Sequence, residues 1–169
     1  MKLKILVGTV TNTAEYVAQA IQMDCADLVD AIEVQMMDGL GINVFDAPPD
    51  GAADVDTVYL ICTSTYGSGD VPDNAQAFYA SLSAEPRYLG HVRYGVISLG
   101  DSGSHPQTFA EGGKRFDERL ADLGARRVGD LLCLDASTGT EPETEAIAWA
   151  RSWLAQVQSG ALMTETPAP

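Results

Sequence analysis

The chain has 169 residues, 46% hydrophobic and 20% charged, which suits one compact domain with a sizeable core and leaves no room for a second. Ten Lys and Arg against 24 Asp and Glu give a net charge of −14, which argues against nucleic acid or anionic membrane as a partner, because each phosphate contact needs a cation. Apolar runs such as Val58–Cys62 fall far short of the roughly 20 residues of a bilayer span, and Ile5-Leu6-Val7 before Gly8 is too short for a signal-peptide core, so a cytoplasmic protein is expected.

In chain order, runs of strand length alternate with stretches of helical period. Strands are expected at Lys2–Val7, Glu33–Met37, Thr57–Ser64, Val92–Leu99 and Arg127–Leu134. One helical stripe is Ala14, Val17, Ala18 and Ile21; a second is Phe109, Phe116, Leu120 and Leu123; a third is Ile147, Ala150, Leu154 and Val157. Asn12 with Glu15, and Thr140 with Glu143, have the spacing of capping boxes. Pro72, Pro106 and Pro142 stand where first helical turns would open, since a missing N–H costs nothing there. The segment from Asp38 to Asp56 reads as loop with one poor short helix, and Gly160 to Pro169 as a flexible tail. Five βα units imply a parallel sheet with helices on both faces. Cys25, Cys62 and Cys133 are odd in number and lack a CxxC pair, and only His91 and His105 could assist them, so neither a disulfide nor a metal cluster is expected.

Ligands of such sheets sit outside the carboxyl ends of the strands, and three loops there are unusual. Gly8 to Glu15 offers the hydroxyls of Thr9, Thr11 and Thr13, an Asn that tolerates left-handed backbone, and the free N–H groups of a helix start. It reads equally as a phosphate cradle without a cation or as a polar, well-capped turn. Ser64 to Asn74 places Tyr66 at a strand end beside Gly67-Ser68-Gly69, where backbone can approach a planar ligand. Pro72 occupies the place of the third glycine, so the loop is no dinucleotide fingerprint. Leu99 to Phe109 contains Ser102, but Ser104 replaces the last glycine of a nucleophile elbow, which rejects a hydrolase.

Together and in this order, the three loops resemble those of the flavodoxin family, over nearly the whole chain to about Val157. Thr9 to Glu15 is similar to the family's FMN phosphate loop, and Thr65 to Asn74 resembles the flavin loop of diflavin reductases and of small MioC-type flavodoxins. Leu99 to Phe109 with Gly112 to Phe116 resembles the third loop of the latter. An uninterrupted path from Arg127 to Thr140 fits the short-chain form. The resemblance implies a flavodoxin-like α/β fold over residues 1–158, a doubly wound five-stranded parallel sheet of order 2-1-3-4-5, with 159–169 as the tail. It implies that Thr9, Val10, Thr11, Asn12, Thr13 and Ala14 bind the FMN phosphate. Ser64, Thr65, Tyr66, Gly67, Ser68 and Gly69 would line one flavin face, with Tyr66 stacked on the ring and a Gly67 carbonyl free to turn towards N5. Leu99, Gly100 and Asp101 would approach the flavin edge, and the same loop holds His105 and Phe109. Where the family carries a stacking Tyr, this chain reads Ser104-His105-Pro106, so either His105 stacks on the flavin or that face is open.

The function implied is a low-potential, one-electron FMN carrier, expected to be a monomer that passes electrons from an NAD(P)H-dependent flavodoxin reductase to an acceptor redox protein. Residues 1–105 hold 14 acids against four bases, while Lys114, Arg115, Arg119, Arg126 and Arg127 supply half of all cations, so an acidic docking face for basic partners is expected. An FMN-dependent NAD(P)H:quinone reductase and a flavin-free binding module are the alternatives. A phosphoacceptor receiver domain is excluded because Gly8-Thr9 stand where it needs acids.

Overall fold

The computed structural model describes residues 1–9, 12–46, 57–66 and 69–159. Among these described residues, six parallel strands, β1 (Lys2–Gly8), β2 (Ala31–Met36), β3 (Thr57–Thr63), β4 (Arg93–Gly100), β5 (Arg126–Arg127) and β6 (Leu132–Asp135), form one sheet ordered β2-β1-β3-β4-β5, with β6 also paired to β4. Four helices of the same described residues accompany them: α1 (Thr13–Asp24), α2 (Gln76–Ala84), α3 (Glu111–Asp122) and α4 (Pro142–Ser159). Lys2 lies opposite both Ala31 and Thr57, so β1 lies between β2 and β3, and the chain reverses its winding between β1 and β3. That reversal opens a crevice at the strands' carboxyl ends.

The strands are almost continuously apolar because both faces of the sheet are covered. Leu3, Ile5, Val58, Leu60 and Ile97 meet Val17 and Ile21 of α1 and Trp153 and Leu154 of α4. Leu6, Ile61 and Val96 meet Phe78 of α2 and Phe116 of α3, and the short turn Ile42–Phe45 adds Phe45 to that second core. Phe45 stands edge-on to Tyr59 with centroids 4.9 Å apart, and Phe78 stacks on Phe116 at 5.7 Å. Burial pushes the Cys62 thiol up to about 12, so it stays protonated and donates to the Ala14 carbonyl, tying β3 to the start of α1.

The expected fifth strand, Arg127–Leu134, is split in two. Arg126 and Arg127 pair with Arg93 and Tyr94, and Leu132–Asp135 pair with Ile97–Gly100. Between them Gly129 turns left-handed at φ 71°, and the Val128 carbonyl is taken by the Trp153 indole N–H at 3.0 Å instead of by β4. Two helix starts also differ from the sequence reading. Asn12 does precede α1, but its left-handed backbone (φ 69°) leaves its side chain outside any capping bond. Thr140 is not the cap of α4, because that helix opens at Pro142, with Thr144 donating its hydroxyl to the Glu141 carboxylate. Pro106 lies in a loop, five residues before α3 begins, and Phe109 lies there too rather than on the helical stripe. Residues 47–56 and the tail 160–169 fall outside the described residues.

Candidate functional site

A cleft of about 360 Å³ opens at the carboxyl ends of β3, β4 and β6. Its walls include Thr13 from the first loop, Ser64 and Thr65 from the second, and Leu99, Gly100, Asp101, His105 and Phe109 from the third. The segment after β6 and the start of α4 complete it with Asp135, Ala136, Thr140, Pro142 and Glu145. Of this fourth wall, Asp135 is marked by its place at a strand end, and Thr140 and Pro142 only as parts of a helix start; nothing in the sequence assigns the wall to a site.

The remaining expected residues lie elsewhere. Thr9 lines a separate hollow with Asp38, Asp73 and Asn74. Asn12 accepts the Tyr16 amide at 3.0 Å through its backbone carbonyl, while Ala14 is fully buried in the core. Tyr66 is 46% exposed and outside the cleft walls, on a tight loop closed by reciprocal amide bonds between Tyr66 and Asp70. Gly69 is at φ 120°, and a Cβ there would stand 3.2 Å from the Thr108 Cβ. Val10, Thr11, Gly67 and Ser68 are outside the described residues.

Hydroxyls fasten the start of α3 to the sheet. The buried Ser98 hydroxyl donates to the Ala110 carbonyl at 2.7 Å and accepts the Gly113 amide at 2.9 Å. Thr65 Oγ1 accepts the Gly112 amide at 3.0 Å, so these first-turn N–H groups of the helix are satisfied from β4 and the second loop. The third loop is organised by two carboxylates. Asp101 Oδ1 accepts the amides of Gly103 (2.9 Å) and Ser104 (3.2 Å). Asp135 accepts the amide of Ser102 at 3.0 Å and, more closely, its hydroxyl, along with the amide and hydroxyl of Ser137 at 3.0 and 2.7 Å. These bonds, the Ser102 hydroxyl first among them, hold the Asp135 carboxyl below the usual carboxylate range.

A depressed carboxyl pKa contributes stability above the ordinary carboxylate value and loses it as pH falls towards the folded-state value. Acidification below about pH 4 is therefore expected to loosen the third loop. Urea midpoints across that range should fall more steeply in the wild type than in Asp135→Asn; parallel profiles would show that Asp135 carries none of this dependence.

An open parallel sheet of this order, with its cleft at the carboxyl ends of the strands and a loop-to-helix turn at the end of β1, defines the flavodoxin-like architecture. The sequence profile of the Flavodoxin family matches residues 5–149. Flavodoxin YqcA of Escherichia coli K12 is 35% identical over 151 residues, 88% of this chain and 93% of that protein. Protein MioC of the same organism is 28% identical over 150 residues, 89% and 94% of the two chains. A solved flavodoxin from Pseudomonas aeruginosa, a mutant with one cysteine replaced by alanine, superposes with a TM-score of 0.74 at 34% identity, covering 94% of this chain and 99% of that one. The chain belongs to the flavodoxin family, and its cofactor is FMN.

The residues present fit that cofactor at one telling atom. Thr9 Oγ1 is buried and has no hydrogen-bond partner among the described residues. An unpaired buried hydroxyl costs on the order of 1–3 kcal/mol, and a phosphate oxygen beside the first loop would relieve it. No described helix is long and apolar enough to cross a membrane.

Proposed function

We propose that this flavodoxin is a low-potential, one-electron shuttle between an NAD(P)H-dependent reductase and an acceptor redox protein. Bound FMN supplies the redox chemistry, and the chain sets its affinity and potential. The observation that carries the reading is the charge of the cleft: Asp101, Asp135 and Glu145 line it, and no Lys or Arg does among the described residues. Lys114 is held just behind the wall, its ammonium on the Phe109 carbonyl at 3.1 Å, and offsets part of that charge. Carboxylates beside a group that gains an electron oppose the gain. At an effective dielectric near 20, a unit charge at about 8 Å is worth roughly 2 kcal/mol, or about 90 mV for one electron, and solvent screening reduces this.

In this reading Thr9, Asn12, Thr13 and the Ala14 amide hold the phosphate, with Val10 and Thr11 completing the loop. Ser64, Thr65, Tyr66 and Gly69, with Gly67 and Ser68, face the flavin ring. Leu99, Gly100 and Asp101 meet its edge, and His105 and Phe109 close the third side. Several cations of the 114–127 region are paired, Arg127 with Asp117 at 2.7 Å and Arg115 with Asp70 at 3.5 Å. These pairs neutralise acids and bases alike, and the excess of 24 acids over ten bases supports an acidic face for basic partners, with docking rates that fall as salt rises.

Asp101→Asn tests the charge account cleanly, because an asparagine Oδ1 still accepts the Gly103 and Ser104 amides while the charge is gone. The potential for full reduction is expected to rise by some tens of millivolts, bounded by the ~90 mV above; an unchanged redox titration would refute the charge account. The shuttle reading itself is tested by mixing the FMN-loaded protein with NAD(P)H. Reduction should require an added flavodoxin reductase, whereas direct turnover with a quinone would make it a quinone reductase.

A further inference from the structure

Asn74 lies in the short turn Asp73–Ala75 that leads into α2, 65 residues from Thr9 in sequence, yet its amide grips the end of β1. Its Oδ1 accepts the Thr9 amide at 2.8 Å, and its Nδ2 donates to the Val7 carbonyl at 3.2 Å and to Asp38 Oδ1 at 3.0 Å. Chemistry alone fixes which way the amide faces. The Val7 carbonyl and the Asp38 carboxylate only accept, and the Thr9 amide only donates, so a single orientation satisfies all three partners. Asn74 thereby sets the Thr9 peptide at the point where the first loop leaves the sheet, and it interposes a neutral amide between Thr9 and the Asp38 carboxylate. The same Thr9 carries the buried, unpartnered hydroxyl, and three residues on Asn12 takes its left-handed backbone to open α1.

We propose that Asn74 is a positioning residue for the FMN phosphate: acting through Thr9, it fixes where the first loop leaves the sheet before FMN arrives and joins the exit of the second loop to the phosphate cradle. Asp38 is its orienting partner. The inference rests on the reading that the first loop takes the phosphate, and it assigns Asn74 and Asp38 to the cradle although neither need touch the ligand. A residue that only supports the fold would affect every flavin alike; one that shapes the phosphate cradle discriminates between flavins with and without a phosphate.

The experiment titrates apoprotein with FMN and with riboflavin, which lacks the phosphate, following the quenching of flavin fluorescence. Wild type is expected to bind FMN more tightly than riboflavin; equal affinities would overturn the phosphate reading and this proposal with it. Given that preference, Asn74→Ala should raise the FMN Kd by tenfold or so while the riboflavin Kd moves by less than about threefold. Equal losses for both ligands, or no loss for FMN, would overturn the role of Asn74 and leave the phosphate reading standing. Asn74→Asp is isosteric and carries the test should the alanine variant fail to fold. It keeps an acceptor for Thr9 but sets a carboxylate against Asp38, so FMN binding should weaken. Unchanged FMN affinity in Asn74→Asp, or an equal loss for riboflavin, would overturn the proposal.

Discussion

Replacing Gly112 with alanine is expected to destabilise the protein and weaken FMN binding together, although alanine is the better helix former. In the first turn of α3, a Cβ at residue 112 would stand 2.4 Å from the Ser64 carbonyl oxygen and 3.1 Å from Thr65 Oγ1. Helix propensity favours the change by about 1 kcal/mol. Overpacking against backbone that cannot rotate away costs at the upper end of the usual range, about 3 kcal/mol, so the contact wins by roughly 2 kcal/mol. Relief by movement is restricted: the Ser64 amide is bonded to the Gly8 carbonyl at 2.9 Å, and the Thr65 hydroxyl accepts the Gly112 amide itself. Both residues wall the cleft, so the strain falls on the second loop, and the FMN Kd should rise by about tenfold. Urea denaturation of the apoprotein and flavin titration check the two parts. A stabilised variant would mean that propensity outweighs the contact, and unchanged affinity would mean that Ser64 and Thr65 do not shape the site.

The same packing explains what can and cannot be read from the chain. The strand positions are legible because burial on both faces makes β1, β3 and β4 near-continuous apolar runs, and the α1 stripe Ala14, Val17, Ala18 and Ile21 is wholly buried as its period implies. Misreadings arise where backbone conformation or a hydrogen bond that the residue pattern does not show overrides it. The apolar run Arg127–Leu134 reads as one strand until the Trp153 indole claims the Val128 carbonyl. Asn12 with Glu15 has the spacing of a capping box, but left-handed backbone turns the Asn side chain away from that task. Pro106 looks like a helix start, yet the Asp101 carboxylate has already folded Gly103 and Ser104 into a turn, and α3 waits for Ala110, itself left-handed at φ 59°. The three loops are identifiable from their composition. How they are held is not, because Asn74 meets Thr9, and Ser98 meets Gly113, only through the sheet order.

Gly95 offers the strongest test of that sheet-to-helix packing, and Gly95→Ala is expected to cost about 3 kcal/mol of stability. A Cβ there would lie 2.5–2.6 Å from three atoms of the Trp153 indole. In a strand interior alanine ordinarily gains up to about 1 kcal/mol over glycine, so the measured loss is what remains after that gain. The indole has little freedom to retreat. It is 2% exposed, its Nε1–H is bonded to the Val128 carbonyl, and Trp149 stacks on it with centroids 5.4 Å apart and planes 11° from parallel. Pushing it outward would also free the Val128 carbonyl, which lies between β5 and β6 where their pairing with β4 is interrupted, so the edge of the sheet should loosen with it. A double-mutant cycle isolates the contact: with Trp153→Phe the smaller ring leaves space, and the added methyl should then cost less than about 1 kcal/mol. Gly95 is remote from the cleft walls, which on β4 begin at Leu99. The folded fraction of Gly95→Ala should accordingly bind FMN with wild-type affinity. Urea midpoints for the four proteins of the cycle decide the matter, and equal costs in both backgrounds would show that the indole is not what excludes a side chain at residue 95.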